Sequence, residues 1–323
     1  MAAHPQRKGR NTTVHEVDQG DVKELCSAAD VKTRLVEVFR SPDYRPPVLP
    51  RVALELQRLV RKPKLEIRES LALLEQEPML AARLLQLSGS ALYGGRPIAS
   101  LETAVVRLGI QRVADLFLQA SLEARIFRAP AYEQTMTILA RHSALVAEMA
   151  TRVRREPPKP EDDSFLCGLL HDVGTAACLV ALAEVSITPQ SRANPPISGP
   201  VSRAAPVSRA APISRPSPPV AVELALPAVH EVHAAAGAHL ARMWKLPADI
   251  GKVIDGHHAT SRTLIASATA AVVTIADFLI SREGVTIEPA PHPPTEDVLS
   301  AARLERKDLE RLSAIAKELV QSV

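Results

Sequence analysis

His171 and Asp172 stand side by side within Gly168-Leu-Leu-His-Asp-Val-Gly174, in an apolar run that includes Phe165, Leu166, Leu169, Leu170 and Val173. Apolar surroundings favour burial, and a buried charge must be paired or bound to metal. An imidazole beside a carboxylate is also a ligand pair that divalent transition metals accept. The doublet is therefore a metal-site candidate if further His and Asp residues converge on it. Of the 10 histidines, most fall in the second half of the chain. His142 lies on the segment before the doublet, and His230, His233 and His239 lie on a segment after it. His257-His258 end the next segment, and Asp277 sits in an otherwise apolar one. The expected cluster is His142, His171, Asp172, His233, His257, His258 and Asp277. His230 and His239 are read as surface or packed histidines. His257-His258 also suit a helix C-terminus, where a cation complements the macrodipole, and Asp277 could cap or pair locally.

Such a cluster requires one ligand per helix of a bundle, because bundle cores build metal sites from facing helices. The chain supplies the helices. Val52, Leu56, Leu59 and Val60 form an apolar stripe after Pro50, Ile67, Leu71 and Leu74 a second, and Leu80, Leu84 and Leu87 a third opened by Pro78. Ser100 is a candidate N-cap, with Gly109 at the end of its helix. Further helices are predicted over Asp21–Phe39, Ile110–Phe127, Tyr132–Arg154, Ala228–Trp244, Pro247–His257 and Thr263–Ser281, with a final amphipathic segment Val298–Val320. Asp163 or Ser164 is expected to cap a helix that carries the doublet and runs on towards Ala183. No segment alternates as a strand would, so the fold class is all-α.

Composition agrees: 46% of residues are hydrophobic but only 3% aromatic, so the core is built from Leu, Val, Ile and Ala. The net charge of +3 is local. Ser186–Val222 holds Arg192, Arg203, Arg209 and Arg215 and no acidic residue, which leaves the remainder near neutral. A near-neutral body argues against nucleic-acid binding. The same segment repeats Pro-Val-Ser-Arg-Ala-Ala from Pro200 and Pro206 and a variant from Pro212. Proline at that density opposes helix and sheet, so 186–222 is expected to be a flexible insertion. The polar Met1–Gly20 is expected to be disordered. Cys26, Cys167 and Cys178 match no metal knuckle or redox motif, and the polar start has no secretion signal, which together predict a cytoplasmic protein. Thr263–Ile280 is near spanning length but carries Ser267, Thr269, Thr274 and Asp277, so a buried core helix and no membrane insertion are expected. The organisation expected is a partly helical extension (1–45), an N-terminal helical lobe (46–130), a second lobe (131–283) interrupted by 186–222, and a helical tail (284–323).

The ordered set His142, His171-Asp172, His233, His257-His258, Asp277 resembles the HD superfamily of helical metal-dependent phosphohydrolases. The match is closer to its HDOD branch of bacterial signalling domains. The segments that carry it include Val48-Leu-Pro-Arg-Val52, Glu77-Pro-Met-Leu-Ala-Ala-Arg-Leu-Leu85, Ser90-Ala-Leu-Tyr-Gly94, Ile98–Gly109, Gly168–Gly174, His233-Ala-Ala-Ala-Gly237 and Asp255-Gly-His-His258. The resemblance implies an HD-type helical bundle and a regulatory or output role through signalling-protein partners or a small ligand, a nucleotide second messenger among the candidates. It also implies a retained site for Fe, Mn, Zn or Mg. The alternative is a phosphohydrolase acting on a nucleotide or cyclic dinucleotide, in which Asp172 is the residue most exposed to the chemistry. Three departures bear on that choice. Thr175 stands where catalytic relatives carry a lysine, the Gly-Tyr-Pro signature is absent, and Gly89 replaces a family asparagine.

Overall fold

The computed structural model describes residues 27–62, 64–154, 163–185, 220–261, 263, 265–287 and 291–322. The expectations for Met1–Gly20, for Cys26 and for nearly all of the 186–222 segment lie outside the described residues. Among the described residues there is no strand, and the all-α expectation holds.

Ser27 accepts the Asp30 N–H and starts α1 (Ala28–Arg40), whose Val31 and Leu35 are buried. This is shorter than the predicted Asp21–Phe39, because residues 21–26 are not described. The N-terminal helices are α2 (Arg51–Leu59), α3 (Ile67–Leu74), α4 (Pro78–Ser88), α5 (Leu101–Leu108) and α6 (Ile110–Arg125). Ser100 caps α5 by accepting the Thr103 N–H at 3.1 Å, and Gly109, at φ +80°, turns the chain directly into α6. A 3-10 turn, Ala91–Tyr93, ends at Gly94 in the left-handed region, where only glycine is unstrained. Arg107 secures this turn by donating to the carbonyls of Tyr93 (2.6 Å) and Arg96 (2.9 Å).

The second half is built from α7 (Glu133–Val153), α8 (Ser164–Leu170), α9 (Val173–Val185), α10 (Val222–Met243), α11 (Ala248–Gly256) and α12 (Ala268–Arg282). It closes with α13 (Glu296–Ala301) and α14 (Asp308–Gln321). α7 packs on α8 and α12, while α9 packs on α10, which also receives α1 and α11. One apolar core runs through the N-terminal helices into α8–α11. A second joins α7 to α12, α13 and α14.

Four expectations need correction. The doublet helix is not continuous: α8 stops at Leu170 and α9 starts at Val173. His171 keeps helical angles, but the Thr175 N–H bonds Asp172 O at 3.0 Å, one residue tighter than an α-helical bond. Asp163 occupies the cap position without capping, because its carboxylate pairs with Arg61. α10 begins before Pro227 rather than after it. Burial of Ala225, Ala228 and Val229, with Tyr132 Oη donating to Val220 O at 2.9 Å, outweighs the proline's missing N–H. Finally, the C-terminal segment is two helices, separated at Arg303, which has φ +60°.

The membrane-like run also lies elsewhere than expected. Among the described residues, Ser164–Glu184 is long and apolar enough to cross a membrane, and 94% of its apolar window is buried within the protein.

Candidate metal centre

The seven predicted ligand residues come together. α7 supplies His142, the α8–α9 junction His171 and Asp172, α10 His233, the end of α11 His257 and His258, and α12 Asp277. His142, His171, Asp172, His233, His257 and Asp277 are all buried, and His258 is exposed.

Asp172 sits between two groups. Its Oδ2 lies 3.3 Å from His171 Nε2 and 3.6 Å from His142 Nε2. Its Oδ1 lies 3.4 Å from His257 Nε2 and 3.5 Å from His233 Nε2. Asp277 Oδ1 joins the first group at 3.3 Å from His142 Nε2 and is oriented by the Ser281 hydroxyl at 3.0 Å. His258 joins the second, its Nε2 3.0 Å from that of His233. Candidate ligand atoms of Asp172, His233, His257 and His258 lie within 4.8 Å of one another, as do those of His142, His171 and Asp277.

The tautomers decide what such a cluster can hold. Four imidazoles direct Nδ1 at backbone carbonyls: His142 at Val285 O (2.7 Å), His171 at Gly168 O (2.7 Å), His233 at His230 O (2.8 Å) and His257 at Ile254 O (2.6 Å). A carbonyl only accepts, so each Nδ1 carries a proton and each ring turns its Nε2 inward, where it can ligate once unprotonated. Those Nε2 atoms meet head-on, at 3.2 Å between His142 and His171 and 3.3 Å between His233 and His257. Two unprotonated acceptors at that distance repel unless a proton or a metal cation lies between or beside them. Asp172 Oδ1 is buried without a hydrogen-bond donor, which is the same demand from the carboxylate side. The donor set therefore fits metal ions, and the carbonyls that hold the rings are the outer support metal-binding histidines use.

Electrostatics agree. Burial alone would lower the His171 imidazole, but the Asp172 carboxylate overrides it, with help from Asp277, and holds it at about 9. Burial would raise Asp172, yet the charge and hydrogen bond of His171 keep it well below the carboxylate range. Asp277 is likewise held at about 2, His142 overcoming burial. Although its outer edge is exposed, His258 is pushed down to about 3 by the desolvation of its inward side and by His257 and His233, so it is neutral. A proton on His171 thus does part of what a metal cation would do.

The centre opens into a cavity of about 220 Å³, whose rim includes His230, Thr260, Thr286 and His292. None of its described lining residues is Lys or Arg. Thr175, at the position of the missing lysine, is fully buried rather than at the cavity wall. Sequence reasoning missed His230 and His292. His230 precedes His233 by one helical turn on the same face of α10, and its ring lies 5.7 Å from that of His233 and 5.6 Å from that of His258. That spacing was the available signal. His239 lies away from the centre, beside Tyr44 and Arg242, as its reading as a packed or surface residue implies.

The HDOD domain family matches residues 47–194, a span that includes His142, His171 and Asp172. Over that span the chain is similar to HDOD domains. Its fold is that of solved HDOD structures. An HDOD domain protein of unknown function from Geobacter sulfurreducens is 23% identical, with 90% of this chain and 93% of that one covered and a TM-score of 0.54. A candidate signal transduction protein from Marinobacter aquaeolei is 20% identical, with 92% and 64% covered and a TM-score of 0.57. A candidate metal-dependent phosphohydrolase from Shewanella amazonensis is 17% identical, with 90% and 99% covered and a TM-score of 0.55. An uncharacterized protein of Treponema pallidum is 25% identical over 227 residues. That alignment takes in 66% of this chain, and the chain spans only 37% of that relative's length. The remaining candidate ligands, His233, His257, His258 and Asp277, fall beyond the matched HDOD segment and are joined to it by the fold.

Proposed function

We propose that this HDOD protein is a metal-holding regulatory module of bacterial signal transduction, acting through a protein partner or a small ligand rather than by turnover. The observation that carries the reading is the inward convergence of imidazole Nε2 atoms and two carboxylates around Asp172. Imidazole-rich donors favour Fe, Mn or Zn over Mg, which prefers an all-oxygen shell. Asp172 would bridge the group of His142, His171 and Asp277 to that of His233, His257 and His258. The cavity is below the roughly 300–1,000 Å³ usual for small-molecule sites. It suits a phosphate-sized group, and a nucleotide would leave its base outside. No Lys or Arg among the described residues faces that space to hold a phosphate in place.

One observation favours the second reading, a phosphohydrolase: the exposed His258 and the cavity, which Asp172 helps to line, give the centre an approach from one side. When bound, a metal pair supplies a Lewis acid and a metal-activated water. The residues on that side would hold the metals and exclude bulk water, with His230 and His292 at the rim.

Metal-loaded chain assayed with nitrophenyl phosphate and with cyclic dinucleotides under Mn²⁺, Fe²⁺ or Zn²⁺ separates the two. Bound metal without turnover is expected. Metal-dependent hydrolysis that disappears in Asp172→Ala would replace the regulatory reading with the enzymatic one.

A further inference from the structure

The geometry points to Gly168 and Gly174 as positioning residues that set the two halves of the metal centre separately, an inference that rests on the metal-binding reading above. They flank the His171-Asp172 doublet, Gly168 on the last turn of α8 and Gly174 on the first turn of α9. A Cβ on Gly168 would lie 2.8 Å from Ala147 Cα and 3.0 Å from both Ala147 N and Val146 O, all backbone of α7. A Cβ on Gly174 would lie 1.9 Å from His233 O and 2.5 Å from Gly237 N, both backbone of α10. Backbone atoms cannot rotate aside as a side-chain end can, so the whole facing helix must move.

The two glycines face different helices and so different ligands. Against Gly168, α7 brings His142 to Asp172 Oδ2 and Asp277 Oδ1. Against Gly174, α10 brings His233 to Asp172 Oδ1 and His258. The crowded atom at Gly174 is the carbonyl oxygen of the ligand residue itself. Real Cβ contacts essentially never fall under 3.0 Å, so alanine at 174 must move His233 by about 1 Å. Metal–ligand distances tolerate only about 0.2 Å. Alanine at 168 demands a few tenths of an ångström, so its effect is milder. Gly237 is the milder case on the same seam: its Cβ would meet Ile254 Cγ2 at 2.7 Å, a side-chain end that can yield, and Gly174 N at 3.3 Å, which asks the backbone for a few tenths of an ångström at most. Alanine is the better helix former at every one of these sites, by about 1 kcal/mol, so propensity does not disfavour the variants.

The test is a titration of the chelator-stripped full chain with Co²⁺, following bound cobalt by dialysis, its visible spectrum, and helix content by circular dichroism. Wild type is expected to bind about two cobalt ions per chain, as in two-metal sites. Gly174→Ala is expected to keep the helix content and bind about one. That remaining cobalt should vanish on adding His142→Ala and persist on adding His233→Ala. Gly168→Ala is expected to bind both, with one weakened about tenfold, the size of an outer-support loss. Gly237→Ala should keep both ions and be perturbed less than Gly168→Ala. The proposal is overturned if Gly174→Ala binds both ions with wild-type affinity and spectrum, or if its remaining cobalt depends on His233. Should Gly174→Ala lose its helix content, Gly168→Ala decides: weakening that is unaffected by adding His142→Ala overturns the proposal. Wild type binding no cobalt would instead sink the metal-binding reading on which it rests.

Discussion

His171 marks the chemistry of the centre most directly, because its imidazole is buried and yet held at about 9 by Asp172. At pH 7.5 this ring keeps a proton that a metal must displace, since a ligating Nε2 has to be unprotonated. Metal binding to the stripped chain is therefore expected to release about one proton near pH 7.5 and progressively less above pH 9. Calorimetric titration in buffers of different ionisation enthalpy reads this directly, and a buffer-independent enthalpy would contradict it. The same shift sets the stability of the metal-free chain. A histidine raised from 6.5 to about 9 stabilises the fold fully below pH 6.5 and loses that contribution as pH rises through 9. Asp277, held at about 2, contributes above its ordinary 3.8 and loses its share as pH falls through 2. The urea midpoint of stripped protein should therefore decline between pH 6.5 and 9, and the decline should shrink once metal replaces the proton.

At the scale of elements, the seam between α6 and α7 shows what holds the two parts of the bundle in register. Glu148 of α7 is 2% exposed and meets Arg112 of α6 at 3.0 Å, Arg152 at 2.9 Å and the Tyr93 hydroxyl of the 3-10 turn. Removing the carboxylate strands partners that are only partly solvated. Glu148→Leu is expected to cost about 2 kcal/mol in urea unfolding and Tyr93→Phe about 1; unchanged midpoints would mean the seam is held by apolar packing alone. Most helices that carry candidate ligands were legible from apolar spacing, because a stripe facing the core repeats with the helical period. The interruptions were not. Apolar residues continue through Leu169-Leu170 and Val173, so nothing in the pattern marks the tightened turn at His171-Asp172. The break between α13 and α14 falls at Arg303, a non-glycine residue with φ +60°, which no Gly or Pro announces. The expected start at Ala228 followed Pro227, and only the burial of Ala225 within α10 shows that the helix begins earlier.

Across the whole molecule, residues from α7 to α12 come together at a single centre, and its candidate donors were readable because successive helices or their ends offer one or two His or Asp residues each. The cavity rim was not, because His230 and His292 reach it only once α10 and the 291–295 segment are placed in space. All seven candidate ligands lie outside the Pro-Ser-Arg-Ala repeats. Loop-closure cost changes slowly with length, by about 0.6 kcal/mol per doubling. Deleting residues 200–217 is therefore expected to leave helix content and metal stoichiometry unchanged, and a loss of metal on deletion would give the repeats a part in the centre. The measurement that bears most directly on the central claim is metal content by elemental mass spectrometry, on chain purified without chelator and then loaded with Zn²⁺. About two ions per chain in wild type, falling to none in Asp172→Ala with helix content intact, is the predicted result. Wild type that stays metal-free after loading, or Asp172→Ala that binds as wild type does, would contradict it.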